Sequence, residues 1–286
     1  MSMTHPQLPP AVGISLKAQH YEDILATRPT IGWLEIHPEN YMGDGGLPHH
    51  YLRRINELYP LSMHGVGLSL GSTEGLCQQH LQALKQVVDQ YQPAQVSEHL
   101  AWSHHNGVFL NDLLPVPYTQ GFLHTVSDNI QQVQDRLQRT ILIENPSAYL
   151  DFKQSTWSEP DFLRELVKRT GCQLLLDVNN VYVSTTNQQS TRENYSSEDY
   201  LKHYPLDDVR EIHLAGHTHN TIDQETVLID DHGSPVTDAV WELFTTTIGR
   251  IGKPIATLIE WDTNIPSLDT LVAEAHKAQE RMITDA

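Results

Sequence analysis

Six residues of metal-binding type each end a short apolar run. His64 closes LSMH, His99 closes QVSEH and Glu144 closes TILIE. Asp177 closes QLLLD, His213 closes VREIH and Glu260 closes IATLIE. A seventh position, the Asp230/His232 pair, lies between the last two. Successive run-ending residues are 33 to 47 positions apart. A strand and its crossover helix need about 30 residues or more, so the spacing fits one ligand per βα unit. In a parallel barrel the carboxyl ends of the strands open on one mouth. Three imidazoles and three carboxylates dispersed in sequence would then meet in space, a donor set suited to hard or borderline cations.

Each carboxylate is costly to bury uncompensated. No Lys or Arg ends a matching run, which leaves a metal ion as the natural counter-charge for Glu144, Asp177 and Glu260. His64 opens HGVGLSLG, where glycines allow the backbone close approach; a histidine satisfied within a glycine-rich turn is the plainer alternative. Glu98 and His99 are neighbours, and strand alternation sends them to opposite faces. His99 is taken as the ligand and Glu98 as a partner that holds it or as half of a buried ion pair. Among His213, His217 and His219, His213 ends the strand and His217 ranks next. Asp230-x-His232 offers an oxygen and an imidazole from one loop, and Asp231 reads as solvated. The chain has no GxSxG, so a serine hydrolase is unsupported. Without GxxxxGK[ST], the glycines after His64 make only a weak phosphate loop.

The elements that must position these residues are legible. Apolar strands are expected near Val12–Leu16, Trp33–His37, Leu61–Val66, Gln95–His99, Thr140–Glu144, Gln173–Val178, Val209–Leu214 and Ile255–Glu260. They are rich in Val, Ile and Leu, as strands buried on both faces are. Helical spacing follows in Leu76–Tyr91 (Leu81, Leu84, Val87, Val88) and Tyr118–Leu137 (Phe122, Val126, Ile130, Val133). Ser158 with Asp161 and Pro160 marks a helix start, and a last helix begins near Pro266. Alternation of strand and helix implies a parallel sheet, and eight strands imply a (β/α)8 TIM barrel. An open doubly wound sheet is the competing topology. Ser184–Tyr195 and Thr218–Val236 are polar and read as loops. The latter carries Asp230 and His232, and long loops in compact domains are usually functional.

The chain has 286 residues and a net charge of −18. That length fits one barrel domain, residues 1–286, and the charge opposes binding to nucleic acid backbones. Cys77 and Cys172 form no CxxC pair and no disulfide framework. The N-terminal segment has neither a basic start nor a long apolar stretch, and no run approaches the ~18 apolar residues of a membrane span. A soluble cytoplasmic protein with no membrane partner is expected.

Seven ordered motifs cover nearly the whole chain: EIHPENY (35–41), HGVGLSLG (64–71), SEHLAW (97–102), IENPS (143–147), DVNNVYV (177–183), HLAGH (213–217) and IEWD (259–262). In these the chain resembles the DUF692, or UPF0276, family of the xylose-isomerase-like and endonuclease IV-like barrels. Characterised members are multinuclear non-haem iron oxidases that act with dioxygen on cysteine or other residues of ribosomally made peptides. A companion protein often presents the peptide. The resemblance implies that Glu144 bridges two metals, one completed by His64 and His99, the other by Asp177, His213 and Glu260. Asn180, Asp230, His232 and His217 would hold a third. It further implies iron as cofactor, with zinc or manganese as substitutes, and Glu144, Asp177 and His213 as catalytic. Asn180 stands where the nuclease pattern has His, which argues against a nuclease and for a weaker third site. Glu35, His37, Glu39 and Asn40, outside the three metal sites, are candidates for positioning substrate. The alternatives are a divalent-metal phosphoesterase or sugar isomerase of the same superfamily, and a non-catalytic metal-binding scaffold.

Overall fold

The computed structural model describes residues 7–189, 192, 195–222 and 225–284. Eight parallel strands close into a barrel: β1 (Val12–Ser15), β2 (Leu34–Ile36), β3 (Leu61–Gly65), β4 (Gln95–His99), β5 (Leu142–Glu144), β6 (Gln173–Asp177), β7 (Val209–Leu214) and β8 (Ala256–Ile259). Each strand pairs with its neighbours in chain order. β1 closes on β8 with Val12 opposite Thr257 and Ile14 opposite Ile259. The molecule is therefore an α/β TIM barrel, as the alternation of apolar runs and amphipathic stretches requires.

Alternation along the strands sorts the side chains. Leu34, Ile36, Leu61, Met63, Ile141, Ile143, Leu174, Leu176, Ile212 and Leu214 join the apolar core shared with the helices. The alternate residues, among them Glu35, Ser62, His64, Glu144, Asp177, Glu211 and His213, are buried on the opposite, inner side. At the barrel floor Trp33, Ala256 and Leu258 form a separate apolar cluster. Each fully buried Leu or Ile contributes roughly 1.5–3 kcal/mol, so the outer face supplies the stability and the inner face is free to be polar.

Helices α1 (Tyr21–Thr27), α2 (Gly46–Asn56), α3 (Gln78–Tyr91), α4 (Gln120–Leu137), α5 (Glu159–Thr170), α6 (Val178–Gln188), α7 (Ser197–His203), α8 (Asp238–Ile251) and α9 (Leu268–Thr284) connect and cover the barrel. The apolar stripe of α3 is buried at Leu81, Leu84, Val87 and Val88. Ser158 caps α5 by accepting from Asp161 N, and Gly171 ends the helix at φ +68°. The last helix starts at Leu268, two residues after the expected Pro266; Ser267 Oγ accepts from Thr270 N.

Two segments read as loops are partly regular. Residues 184–188 belong to α6, because Val181, Val183, Ser184 and Thr185 are buried and Asp177 caps the helix. Positions 190, 191, 193 and 194 of that stretch lie outside the described residues. Within 218–236, Thr218–Ile222 and Glu225–Ile229 pair as an antiparallel hairpin. A second hairpin, Trp102–His105 with Val108–Leu114, follows β4. Its two-residue turn is Asn106–Gly107, at φ +50° and +73°, as a type I′ turn demands.

Candidate metal centre and its cleft

Strand register brings the donors together. His99 lies opposite Glu144 across β4 and β5, and Asp177 opposite His213 across β6 and β7. Glu144 Oε2 sits 2.9 Å from His64 Nε2 and 3.1 Å from His99 Nε2. The two imidazole nitrogens are 3.2 Å apart. Ligands about 2.0–2.1 Å from a tetrahedral ion stand roughly 3.3 Å from one another, so these spacings match atoms converging on a cation. Glu144 Oε2 is buried and lacks hydrogen-bond alignment with either imidazole.

A second group surrounds His213. Its Nδ1 lies 3.0 Å from Glu260 Oε2, and Glu144, Asp177 and His213 offer ligand atoms close enough to share an ion. Asp177 divides its carboxylate: Oδ1 accepts from Asn180 N at 2.6 Å as the cap of α6, and Oδ2 is buried without a partner. Asn145 holds this strand end in place. Its side chain bonds both Asp177 N and Asp177 O at 3.0 Å.

The third group is looser. Asn180 Nδ2 donates to Glu144 Oε1 and to Asn145 O, both at 3.2 Å, which leaves Asn180 Oδ1 buried and unpartnered. His232 Nε2 lies 2.7 Å from Asp230 Oδ1, and its Nδ1 lies 3.4 Å from Glu260 Oε2. Glu260 thus touches both the second and the third group. His217 reaches Asp230 through Asn179, which bonds His217 Nδ1 at 2.8 Å and Asp230 Oδ1 at 2.7 Å.

Charges in the cluster compensate one another. Burial raises the Glu144 carboxyl, but His99 and His64 hold it well below the usual range. Burial pulls the His99 imidazole down, yet Glu144 and Glu98 lift it to about 9. Burial, reinforced by Glu144, pushes Asp177 well above an ordinary aspartate. His99 and Asp177 favour their protonated forms, so a cation bound by them would release those protons, whereas Glu144 is already a carboxylate. Orphaned buried atoms on Glu144, Asp177, Asn180 and His232, and donors limited to nitrogen and oxygen, fit a cluster of divalent metal ions.

The substrate candidates separate. His37 and Asn40 line the open cleft above the donors. Glu39 also borders it, but its Oε1 accepts from Val66 N and Gly67 N at 3.0 Å and lies 3.3 Å from His80 Nε2. Glu39 therefore clamps the turn after His64. Glu35 is not at the rim. It is buried beneath the donors, 3.3 Å from His213 Nε2, with Glu211 Oε1 at 3.5 Å from the same nitrogen. Burial works to raise Glu35, but His213 holds it at about 2, whereas burial and Glu35 push Glu211 up to about 8. Glu98 accepts from His99 N at 3.0 Å and from Leu68 N at 3.2 Å. It comes so close to Gly65 that a Cβ there would sit 2.6 Å from its Oε2, which explains the glycine after His64.

Two members of the site, Lys17 and Asp262, are not read as functional from the sequence, although Asp262 ends the IEWD motif. Lys17, just past β1, bonds Asp262 Oδ1 at 2.5 Å, so a basic residue does stand at a strand end. Asp262 Oδ2 is 3.1 Å from His232 Nδ1. Burial would raise Asp262, but hydrogen bonds to His232 and His37, with Lys17 nearby, hold it well below the usual aspartate range. The thiol of Cys172 is buried and pushed up to about 12, so it is no nucleophile.

Above the donors the cleft encloses about 1080 Å³. Phe109 and Leu110 of the hairpin that follows β4, with Tyr149 and Leu150, line it. All four are exposed apolar side chains.

Residues 11–283 match the model of the RiPP precursor modification enzyme MbnB/TglH/ChrH family. The chain belongs to this family. It is 51% identical to a UPF0276 protein of Rhizobium meliloti over 93% of this chain and 85% of the relative. It is 48% identical to one of Psychromonas ingrahamii over 93% and 92%. Endonuclease IV from Thermus thermophilus superposes with a TM-score of 0.62 at 14% identity, covering 96% of this chain and all of that one. D-psicose 3-epimerase from Clostridium cellulolyticum gives 0.57 at 12% identity, covering 96% and 99%. Those two likenesses concern the fold alone. As a member of the MbnB/TglH/ChrH family the chain is an enzyme, and its donor clusters indicate metal use. Among the described residues, no helix is long and apolar enough to cross a membrane.

Proposed function

We propose that this enzyme binds iron in the donor cluster and uses dioxygen to oxidise a cysteine, or another residue, of a ribosomally made peptide. The observation that carries the reading is Glu144. One of its oxygens faces His64 and His99, while the same carboxylate belongs to the group of Asp177 and His213. A shared carboxylate is how adjacent ions are coupled. Iron supplies one-electron chemistry and reaction with oxygen. His64, His99 and Glu144 would hold one ion, and Glu144, Asp177, His213 and Glu260 a second. Asn180, Asp230 and His232, with His217 behind them, would hold a third.

The chain's other residues shape the approach. The apolar wall of Phe109, Leu110, Tyr149 and Leu150 receives side chains of the peptide and keeps water from the donors. His37 and Asn40 at the rim orient its backbone. An open cleft of this size leaves room for a companion protein that presents the peptide.

The test is to purify the protein without oxygen and to count and identify its metal by Mössbauer spectroscopy. Ferrous iron, dioxygen and a short Cys-containing peptide encoded beside its gene are then combined, and the peptide is weighed by mass spectrometry. An oxidised peptide with iron, and none with redox-inert zinc, is expected. Equal turnover with zinc, or turnover without oxygen, overturns the reading in favour of a metal-dependent hydrolase or isomerase.

A further inference from the structure

We propose that Lys17 and Asp262 are positioning residues that hold His232 ready for the third metal ion. The inference rests on the reading of Asp230 and His232 as ligands of that ion. His232 has a left-handed backbone at φ +46°, a conformation uncommon outside glycine and kept where the surroundings hold it. Here the last strand's end enforces it. His232 O accepts from Asp262 N at 2.8 Å and from Thr263 N at 3.3 Å. Thr263 Oγ1 donates to Asp231 O at 2.8 Å. At Gly233 a Cβ would meet Thr263 Oγ1 at 2.4 Å, so the turn fits against this segment only with glycine there.

The side chain is fixed as firmly. Asp262 Oδ2 lies 3.1 Å from His232 Nδ1. With the ring proton on Nδ1, the lone pair of Nε2 is presented beside Asp230 Oδ1, and Nε2 is buried without a hydrogen-bond partner. Histidine ligands generally donate their other ring N–H to a carboxylate in this way, which sets both tautomer and orientation. The carboxylate is held in turn. Lys17 Nζ takes Asp262 Oδ1 at 2.5 Å, and His37 Nε2 stands 3.7 Å from the same oxygen. Lys17 fixes the Asp262 rotamer and offsets its charge, so Oδ2 keeps facing His232.

The experiment titrates metal-free protein with cobalt(II), following the visible d–d absorption of each equivalent and the melting temperature of the metal-free form. In the wild type a distinct weakest equivalent is expected, absent from His232→Ala. Asp262→Ala and Lys17→Met should weaken that equivalent about 10- to 100-fold, change its spectrum and leave the tighter equivalents alone. Lys17→Arg should restore it. Variants that bind every equivalent with wild-type affinity overturn the inference. So does uniform weakening of all equivalents with a lowered melting temperature, the mark of a merely structural role. A wild type without the His232-dependent equivalent overturns the underlying metal reading instead.

Discussion

Asp177 Oδ1 accepts from Asn180 N at 2.6 Å and so caps the helix that carries Asn180, while Asp177 Oδ2 stays buried and unpartnered. Helix cap and proposed ligand are one side chain. Asp177→Asn retains a good cap and loses the charge, so metal-free stability should stay close to wild type while metal content falls. Asp177→Ala should lose the metal and also about 0.5–2 kcal/mol of stability. Urea denaturation of the metal-free proteins, with metal analysis alongside, separates the two effects. Equal metal content in Asp177→Asn and wild type would remove Asp177 from the ligand set.

Glu144→Gln should strip most of the bound metal, because the same carboxylate serves two donor groups. Elemental analysis after purification reads the outcome directly. Full stoichiometry in that variant would exclude the bridging role.

The buried Glu159 carboxyl, at the start of α5, makes a pH prediction independent of the metal. Burial pushes it up to about 7, against an opposing pull from Tyr118 and Tyr200. The folded state therefore binds this proton more tightly than the unfolded chain. Its contribution to stability is fully present below the ordinary carboxylate range and is lost as pH rises towards 7, about 3 kcal/mol in all. Glu159→Gln should remove this dependence. The stability difference between wild type and variant, followed across that pH window, should favour the wild type less as pH rises; a constant difference would show that Glu159 does not titrate there.

Duplex DNA should not bind measurably at physiological salt, since a chain at −18 offers few phosphate contacts. Gel retardation or fluorescence anisotropy with a labelled duplex tests this. Salt-sensitive binding below the micromolar range would revive a nuclease reading despite Asn180.

Much of the barrel was legible because six of its strands end as apolar runs at or beside a carboxylate or imidazole, and register does the rest. His99 and Glu144, 45 positions apart, are direct partners across two strands. What escaped is set by closure and by local hydrogen bonding. Lys17 follows β1 as any solvated lysine does, and only the pairing of β1 with β8 carries it to Asp262. Glu35 lies in a motif shared with His37 and Asn40, but it stands two residues deeper in the barrel than His37, against His213. The polar STTNQ stretch hides its helical period, because Ser184 and Thr185 are buried with their hydroxyls bonded. The Asn106–Gly107 pair was a readable hairpin signal that composition alone did not bring out.

Closure of β1 on β8 also orders events in time. Lys17 is made 243 and 245 residues before Glu260 and Asp262. A nascent polypeptide halted before β8 carries His64, His99 and Glu144 but lacks both Glu260, the carboxylate that joins His213 to His232, and the seam that seats His232. The donor cluster is thereby assembled only once β8 has been made and has closed on β1, and a product truncated before β8 could not assemble it.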